Sequence, residues 1–282
     1  MLNPRSITEE LLYCTIKLQT LSGGTGTGFL FRFQDGNTLI PVIVTNKHVV
    51  NDNPNEPVTF TLHCGDKSRT TPNGYYWDVT HRATWIFHPE YDLCCCLFYP
   101  LIQQYESESG RSLFYRTFDE SMIKDNDWWL EEFGVVQDVL MVGYPIGLWD
   151  TANNFPLFRK GCTATHPGID FQGKSLGVVD IACFPGSSGS PILILDDGSY
   201  TNKMGNFVAG NRRFALLGVL YAGPVMNATG QIVVEQIPTK QIATSNTPVM
   251  IYLGYYIKAN ILWELKRQLI DFYKPDTGWQ VI

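Results

Sequence analysis

The sequence has no two cysteines in C-x-x-C spacing, no run of 18 apolar residues and no excess of positive charge. Its seven cysteines (Cys14, Cys64, Cys94, Cys95, Cys96, Cys162 and Cys183) are odd in number. A metal needs three or four ligands aimed at one point, whereas neighbouring strand residues face opposite ways, so Cys94-Cys95-Cys96 reads as a strand of small hydrophobes. No metal and no cofactor are expected, and a reducing compartment suits the unpaired thiols. With 21 Lys and Arg against 27 Asp and Glu, the chain has a net charge of −6 and offers no basic field to phosphates, which argues against nucleic acid as a partner. The missing apolar run removes a helical membrane span. Met1 to Ser6 shows no basic segment leading into an apolar one, so the expected location is the cytoplasm. The glycine-rich stretch Ser22 to Phe31 has no Lys-Ser or Lys-Thr behind it and is not a phosphate loop.

What the chain does have is many short β-type runs. Residues 29–33, 39–46, 58–64, 75–88 and 92–98 are separated by Asp-Gly, Asn-Pro, Gly-Asp and Pro-Asn-Gly turn signals, a pattern that predicts a closed antiparallel barrel. A second set follows at 135–144, 158–165, 177–184, 191–195, 214–221, 231–236 and 249–259. Residues 101–138 are more polar and carry Trp128-Trp129, and read as the connection between two halves. That division gives 1–100, 101–138 and 139–282 as the units. The Trp pair is expected to plug a groove between the two domains rather than anchor a partner. Ser6 with Glu9 three places on predicts a short capped helix at 6–13. Ile261, Leu262, Leu265, Leu269, Phe272 and Tyr273 at helical spacing predict a C-terminal helix packed on the body.

One stretch reads as chemistry. In Phe184-Pro185-Gly186-Ser187-Ser188-Gly189-Ser190-Pro191, a serine among glycines and prolines sits on a tight turn that presents its hydroxyl. The same turn converges the N–H groups of Gly186 and Ser188, with Ser187 as a further candidate, where an oxyanion could sit. A hydroxyl is a weak nucleophile near neutral pH and requires a histidine base held by a carboxylate. Of five histidines, His48 follows the apolar run 39–44, and Asp92 lies 44 residues after it and 96 before Ser188. His63, His81, His88 and His166 are assigned structural or surface roles.

The order His48, Asp92, Ser188 at those gaps resembles the trypsin-like (chymotrypsin-fold) serine peptidases. The wording Val44-Thr45-Asn46-Lys47-His48-Val49-Val50 is similar to their bacterial high-temperature-requirement branch, and the likeness runs from Gly26-Thr27-Gly28-Phe29 to Leu253-Gly254-Tyr255-Tyr256-Ile257. The resemblance implies an all-β fold of two antiparallel six-stranded β-barrels with a C-terminal α-helix. It also implies a cleft between the barrels that binds a protein or peptide substrate, with His48 as general base, Asp92 as its orienter and Ser188 as nucleophile. Matched to the family, Ala182 is the pocket floor, Tyr221, Ala222 and Gly223 one wall and Gly254 the other. No acid stands at that floor, so an apolar residue is the expected occupant.

Three departures from the family stand out. Ser187 occupies the place where secreted digestive members carry an acid that pairs with a freed N-terminus, so activation by that route is not expected. Ser190 replaces the usual glycine. Pro224 to Met250 separates the two pocket walls, with Asn227-Ala228-Thr229-Gly230 read as a hairpin turn, and is a candidate lid or partner-sensing loop. The competing functions are a catalytically silent peptide-binding module of the same fold and an esterase using the same three residues. A third variant is a latent protease switched on by a regulatory protein partner.

Overall fold

The structure is a computed structural model that describes residues 2–66, 68, 70–232, 243–250 and 252–274, with the backbone alone for 225–232 and 243–250. The first half comprises helix α1 (Ile7–Leu11) and strands β1 (Thr15–Thr20), β2 (Thr25–Asp35), β3 (Thr38–Thr45), β4 (Val58–Gly65), β5 (Pro72–His81), β6 (Ile86–Phe87) and β7 (Cys94–Leu97). Ser6 caps α1 by accepting from the Glu9 N–H, as its spacing predicts. Helix α2 (Tyr99–Ser109) follows, and then β8 (Ser112–Phe114), which pairs with β4, and β9 (Phe118–Asp119), which pairs with β2. Two short strands of the segment read as a connection therefore pair into the first sheet.

That sheet runs β5-β4-β1-β2-β3-β7-β6, and no ladder joins β5 to β6 among the described residues. The expected closed six-stranded barrel is thus a larger sheet with its ends unzipped. β6 is two residues long, and Trp85, just before it, is buried in the interior core and tied to the loop ahead of β4: its backbone N–H donates to Pro54 O and its indole N–H to Glu56 O. Strand alternation builds two cores from one sheet. Leu18, Leu30, Ile43, Cys94 and Cys96 fill the interior, while Phe29, Phe31, Phe33, Val44 and Cys95 face the second half. The three adjacent cysteines are fully buried and divided between these cores, as small hydrophobes would be.

Helix α3 (Asn126–Glu132), capped by Asp125, leads into the second half. Trp129 is buried with Phe133 in the core of that half, and Trp128 packs against it, so the Trp pair fills the second half's own core rather than the expected groove between the halves. Strands β10 (Asp138–Gly143), β11 (Leu157–Thr163), β12 (Leu176–Asp180), β13 (Pro191–Asp196), β14 (Ser199–Thr201), β15 (Phe207–Ala209), β16 (Arg213–Ala222), β17 (Val225–Ile232), β18 (Ala243–Met250) and β19 (Leu253–Lys258) follow. Six of them close a barrel in the order β10-β11-β12-β19-β16-β13. β14 pairs with β15 and β17 with β18 as separate hairpins.

Two expectations change here. Asn227 to Gly230 do not form a turn: they lie inside β17, where an unbroken antiparallel register runs from Val225↔Met250 to Ile232↔Ala243. The reversal falls within 233–242, outside the described residues. Likewise the single strand expected at 249–259 is the end of β18 and the whole of β19.

Helix α4 (Leu262–Tyr273) returns across the first half. Leu262, Leu265 and Leu269 are fully buried among Leu11, Phe29, Phe31 and Val42 on one side and Val142, Leu216 and Ile257 on the other. Three such side chains contribute roughly 1.5–3 kcal/mol each, so the helix ties the halves together. No described helix is long and apolar enough to cross a membrane.

Candidate active site

His48 opens a single 3₁₀ turn, His48–Val50, directly after β3, and Asn51 closes it in the left-handed region at φ 55. The imidazole Nδ1 lies 2.5 Å from Asp92 Oδ2, and the His48 backbone N–H donates to Asp92 Oδ1 at 3.2 Å. Both carboxylate oxygens are thus engaged by one residue, which fixes the ring and directs its Nδ1 proton at the acid. Burial pushes the Asp92 carboxyl up, but the hydrogen bonds and charge of His48, helped by the Lys47 backbone, outweigh it and leave the group below its ordinary value.

The loop carrying Asp92 is itself pinned. Asn46 Nδ2 donates to Asp92 O at 2.7 Å, and Lys47 Nζ donates to His88 O at 3.0 Å. His88, almost wholly buried, accepts at Nδ1 from the Glu90 and Tyr91 N–H groups, so its proton sits on Nε2 and points to Glu264 of α4 at 3.2 Å. The structural role assigned to His88 is what the structure shows. His63 and His81 are also buried, with ring nitrogens on Asn154 O and Cys96 Sγ rather than on the candidate site.

Ser188 lies in the second of two tandem turns. Phe184-Pro185-Gly186-Ser187 is closed by Ser187 N–H to Phe184 O at 3.0 Å, and Ser187-Ser188-Gly189-Ser190 by Ser190 N–H to Ser187 O at 3.0 Å. Gly186 and Gly189, each at φ +84, take the third position that a type II turn reserves for positive φ, and Pro185 takes the second of the first turn. Because Ser187 spends its N–H inside its turn, it leaves the set of oxyanion donors expected from the sequence. The Gly186 and Ser188 N–H groups have no partner among the described residues.

The orientation of the Gly186 N–H has a visible cause. Ile146 N–H donates to Pro185 O at 2.6 Å, and within one trans peptide the N–H points opposite to the C=O. Holding that carbonyl down turns the Gly186 N–H away from the body. Ile146 achieves this at φ 53, an unusual conformation for a β-branched residue, in a turn closed by Gly147 N–H to Tyr144 O at 3.1 Å.

Thr27 of β2 joins the halves at this point. Its N–H donates to Ser188 O at 2.8 Å, its hydroxyl donates to Gly186 O at 3.1 Å, and the same hydroxyl accepts from the Tyr144 N–H at 3.1 Å. Ser190 Oγ donates to it at 3.3 Å, so the serine in place of glycine acts as a buried tether. A Cβ on Gly189 would stand 1.9 Å from Thr27 O, and one on neighbouring Gly26 2.5 Å from Val49 of the His48 turn. One strand segment therefore touches both the His48 turn and the Ser188 turn.

The expected pocket residues sit around the same turns. Ala182 is half-buried ahead of Phe184, and Tyr221, Ala222 and Gly223 are half-buried at the end of β16, where the ladder to β19 shifts register. Gly254 is buried, and a Cβ there would meet Cys183 Sγ at 2.6 Å, so the thiol overlies this wall. Beneath them lies a residue that sequence reasoning missed. Arg159 of β11 donates from Nη1 to Ala182 O at 2.5 Å and from Nη2 to Ser187 Oγ at 3.0 Å. Ser187 Oγ also accepts from the Phe184 N–H at 3.3 Å and is almost wholly buried.

Residues 26–200 match the family described as trypsin-like peptidase domain. No curated protein matches the chain. Among solved structures, scabies mite inactivated protease paralogue S-I1 is similar at 12% identity over 93% of this chain and 97% of that one, with a TM-score of 0.41.

Proposed function

Since the chain belongs to the trypsin-like peptidase domain family, we propose that it is a serine endopeptidase that cuts peptide bonds through an acyl-enzyme on Ser188. The observation that carries the reading is the His48 imidazole held on the Asp92 carboxylate at 2.5 Å, on a turn that abuts the strand bonded to Ser188. His48 takes the Ser188 hydroxyl proton as the oxygen attacks the substrate carbonyl, and delivers it to the departing amine. Water then attacks the ester, giving its proton to His48, which returns it to Ser188 as the acid leaves. The Gly186 and Ser188 N–H groups receive the oxyanion, and one such donor is typically worth ~10² to 10³ in turnover.

Substrate lies extended along Tyr221-Ala222-Gly223, whose backbone offers β-type pairing, with Ala182 and Gly254 bounding the side-chain pocket. The hairpin of β17 and β18 rises between these walls in sequence and is the candidate regulatory element. The placement in the high-temperature-requirement branch rests on the wording around His48.

The test is covalent labelling by a fluorophosphonate, followed by intact mass. The wild-type chain takes one label, and Ser188→Ala and His48→Ala take none. Labelling that survives Ser188→Ala overturns the assignment. A wild-type chain that binds peptide yet takes no label is the silent module.

A further inference from the structure

The guanidinium of Arg159 has no carboxylate partner among the described residues. It enters the second barrel opposite Met141, a core residue, and reaches to the end of the barrel beneath the Ser188 turn. Its two terminal nitrogens bridge Ala182 O and Ser187 Oγ, the two ends of the segment that carries the turn, and its Nε is buried with nothing to bond. Among the described residues the titratable neighbour acting on it is Cys183, whose thiol burial raises to about 11 and so keeps neutral. The charge is therefore uncompensated among the described residues, although the side chain as a whole remains partly accessible. A half-buried cation in a fold whose other buried cations, Arg213 and Lys258, each hold an aspartate needs an explanation.

Resting on the endopeptidase reading, we propose that Arg159 makes the pocket floor an anion site, so that the preferred residue on the acyl side of the cut is acidic, glutamate or aspartate. When the substrate carbonyl oxygen sits on the Gly186 and Ser188 N–H groups, the side chain of the same residue runs along the 182–187 segment toward the guanidinium. A carboxylate arriving there meets a planar donor already ordered by two hydrogen bonds, with its Nε desolvated. An uncharged side chain leaves the cation unpaired, and a lysine or arginine meets like charge; both raise the discrimination. The apolar preference expected from the lack of an acid at the floor gives way to this, because the sequence did not disclose a cation below it.

The experiment compares internally quenched peptides that differ only at that residue, carrying Glu, Asp, Gln, Leu or Arg. Peptidyl phosphonates with the same side chains, which report on Ser188 without turnover, run in parallel. The wild-type chain is expected to favour Glu or Asp over Gln by about 10-fold or more in kcat/KM and in labelling rate. The ratio of acidic to Gln substrates falls toward one in Arg159→Met and is restored in Arg159→Lys. A merely structural role, with Arg159 only steadying Ser187, slows every substrate together and leaves that ratio where it was. That result, or wild-type rates on Glu no better than on Gln, overturns the proposal while leaving the endopeptidase standing. If neither peptide nor phosphonate reacts with any side chain, the endopeptidase reading falls and the acidic preference with it. Should Arg159→Met fail to fold, the wild-type ratio and Arg159→Lys decide.

Discussion

Thr27→Val tests the joint between the halves most sharply. Valine keeps the volume and the strand preference of threonine but removes the hydroxyl, leaving the Tyr144 N–H and Gly186 O without their partner and Ser190 Oγ without its acceptor. Thr27 and Ser190 are both fully buried, so water does not replace the loss. Each buried polar group left unsatisfied costs about 1–3 kcal/mol; two backbone groups and a hydroxyl that can rotate make a loss of about 2–4 kcal/mol the expected result. The functional effect is separable. Freed from Thr27, the Gly186 carbonyl loses one of the contacts that fix its turn, and misplacing one oxyanion donor lowers reactivity by ~10² or more. Urea denaturation measures the first effect and the fluorophosphonate labelling rate the second. Thr27→Ser keeps the hydroxyl and is expected to stay near wild type in labelling. A Thr27→Val chain within about 0.5 kcal/mol of wild type, the spread of ordinary surface changes, and labelled at the same rate would refute the claim that this hydroxyl organises the site.

Gly189→Ala combines a forbidden contact, 1.9 Å from Thr27 O, with a φ of +84. The backbone conformation alone costs about 1–3 kcal/mol, and the clash adds to it, so the urea midpoint falls and labelling is lost; a wild-type midpoint would contradict the close approach. Acid is expected to weaken the fold through His63 and His81, both lowered to about 4, chiefly by burial, against the Asn154 and Leu97 backbone hydrogen bonds respectively. A folded value below the unfolded one means that the unfolded chain binds more protons, so stability is full above about pH 6.5 and drains as pH falls toward 4, by about 2 kcal/mol for each histidine at pH 5. Urea midpoints at pH 7 and pH 5 check this, and the His63→Gln, His81→Gln double variant should show a flatter dependence than wild type; equal slopes would exclude these two groups as the cause.

The candidate chemistry was legible because it is written locally. A Pro-Gly pair and a second glycine three residues after the first demand the tandem turns around Ser188, and the residues flanking His48 and Asp92 sit at strand ends where side chains can turn inward. What stayed hidden depends on pairings across long sequence distances. Thr27 looks like any strand threonine until Ser188 and Tyr144 are placed beside it. In Leu157-Phe158-Arg159-Lys160-Gly161, two consecutive cations alternate faces, and nothing local says that Arg159 is the inward one while Lys160 pairs with Asp138 in solvent. Helix α2 was missed because its buried residues, Leu101, Ile102 and Tyr105, make only a short stripe among polar neighbours, although Pro100 near its start and Gly110 at φ 63 after its end are conventional helix boundaries. Asn227-Ala228-Thr229-Gly230 misled in the opposite way, since turn-forming residues were overridden by an eight-pair ladder.

The order in which the second barrel closes has a consequence for a chain emerging from the ribosome. β19 sits between β12 and β16, so the cylinder stays open until Lys258 has been made, and α4 has still to follow before Glu264 can brace His88. Ser188 is translated some seventy residues ahead of the strand that completes its surroundings. On the proposed endopeptidase reading, a nascent molecule therefore carries the Ser188 hydroxyl without the framework that would arm it, and its partly folded neighbours on a polysome are spared for that interval.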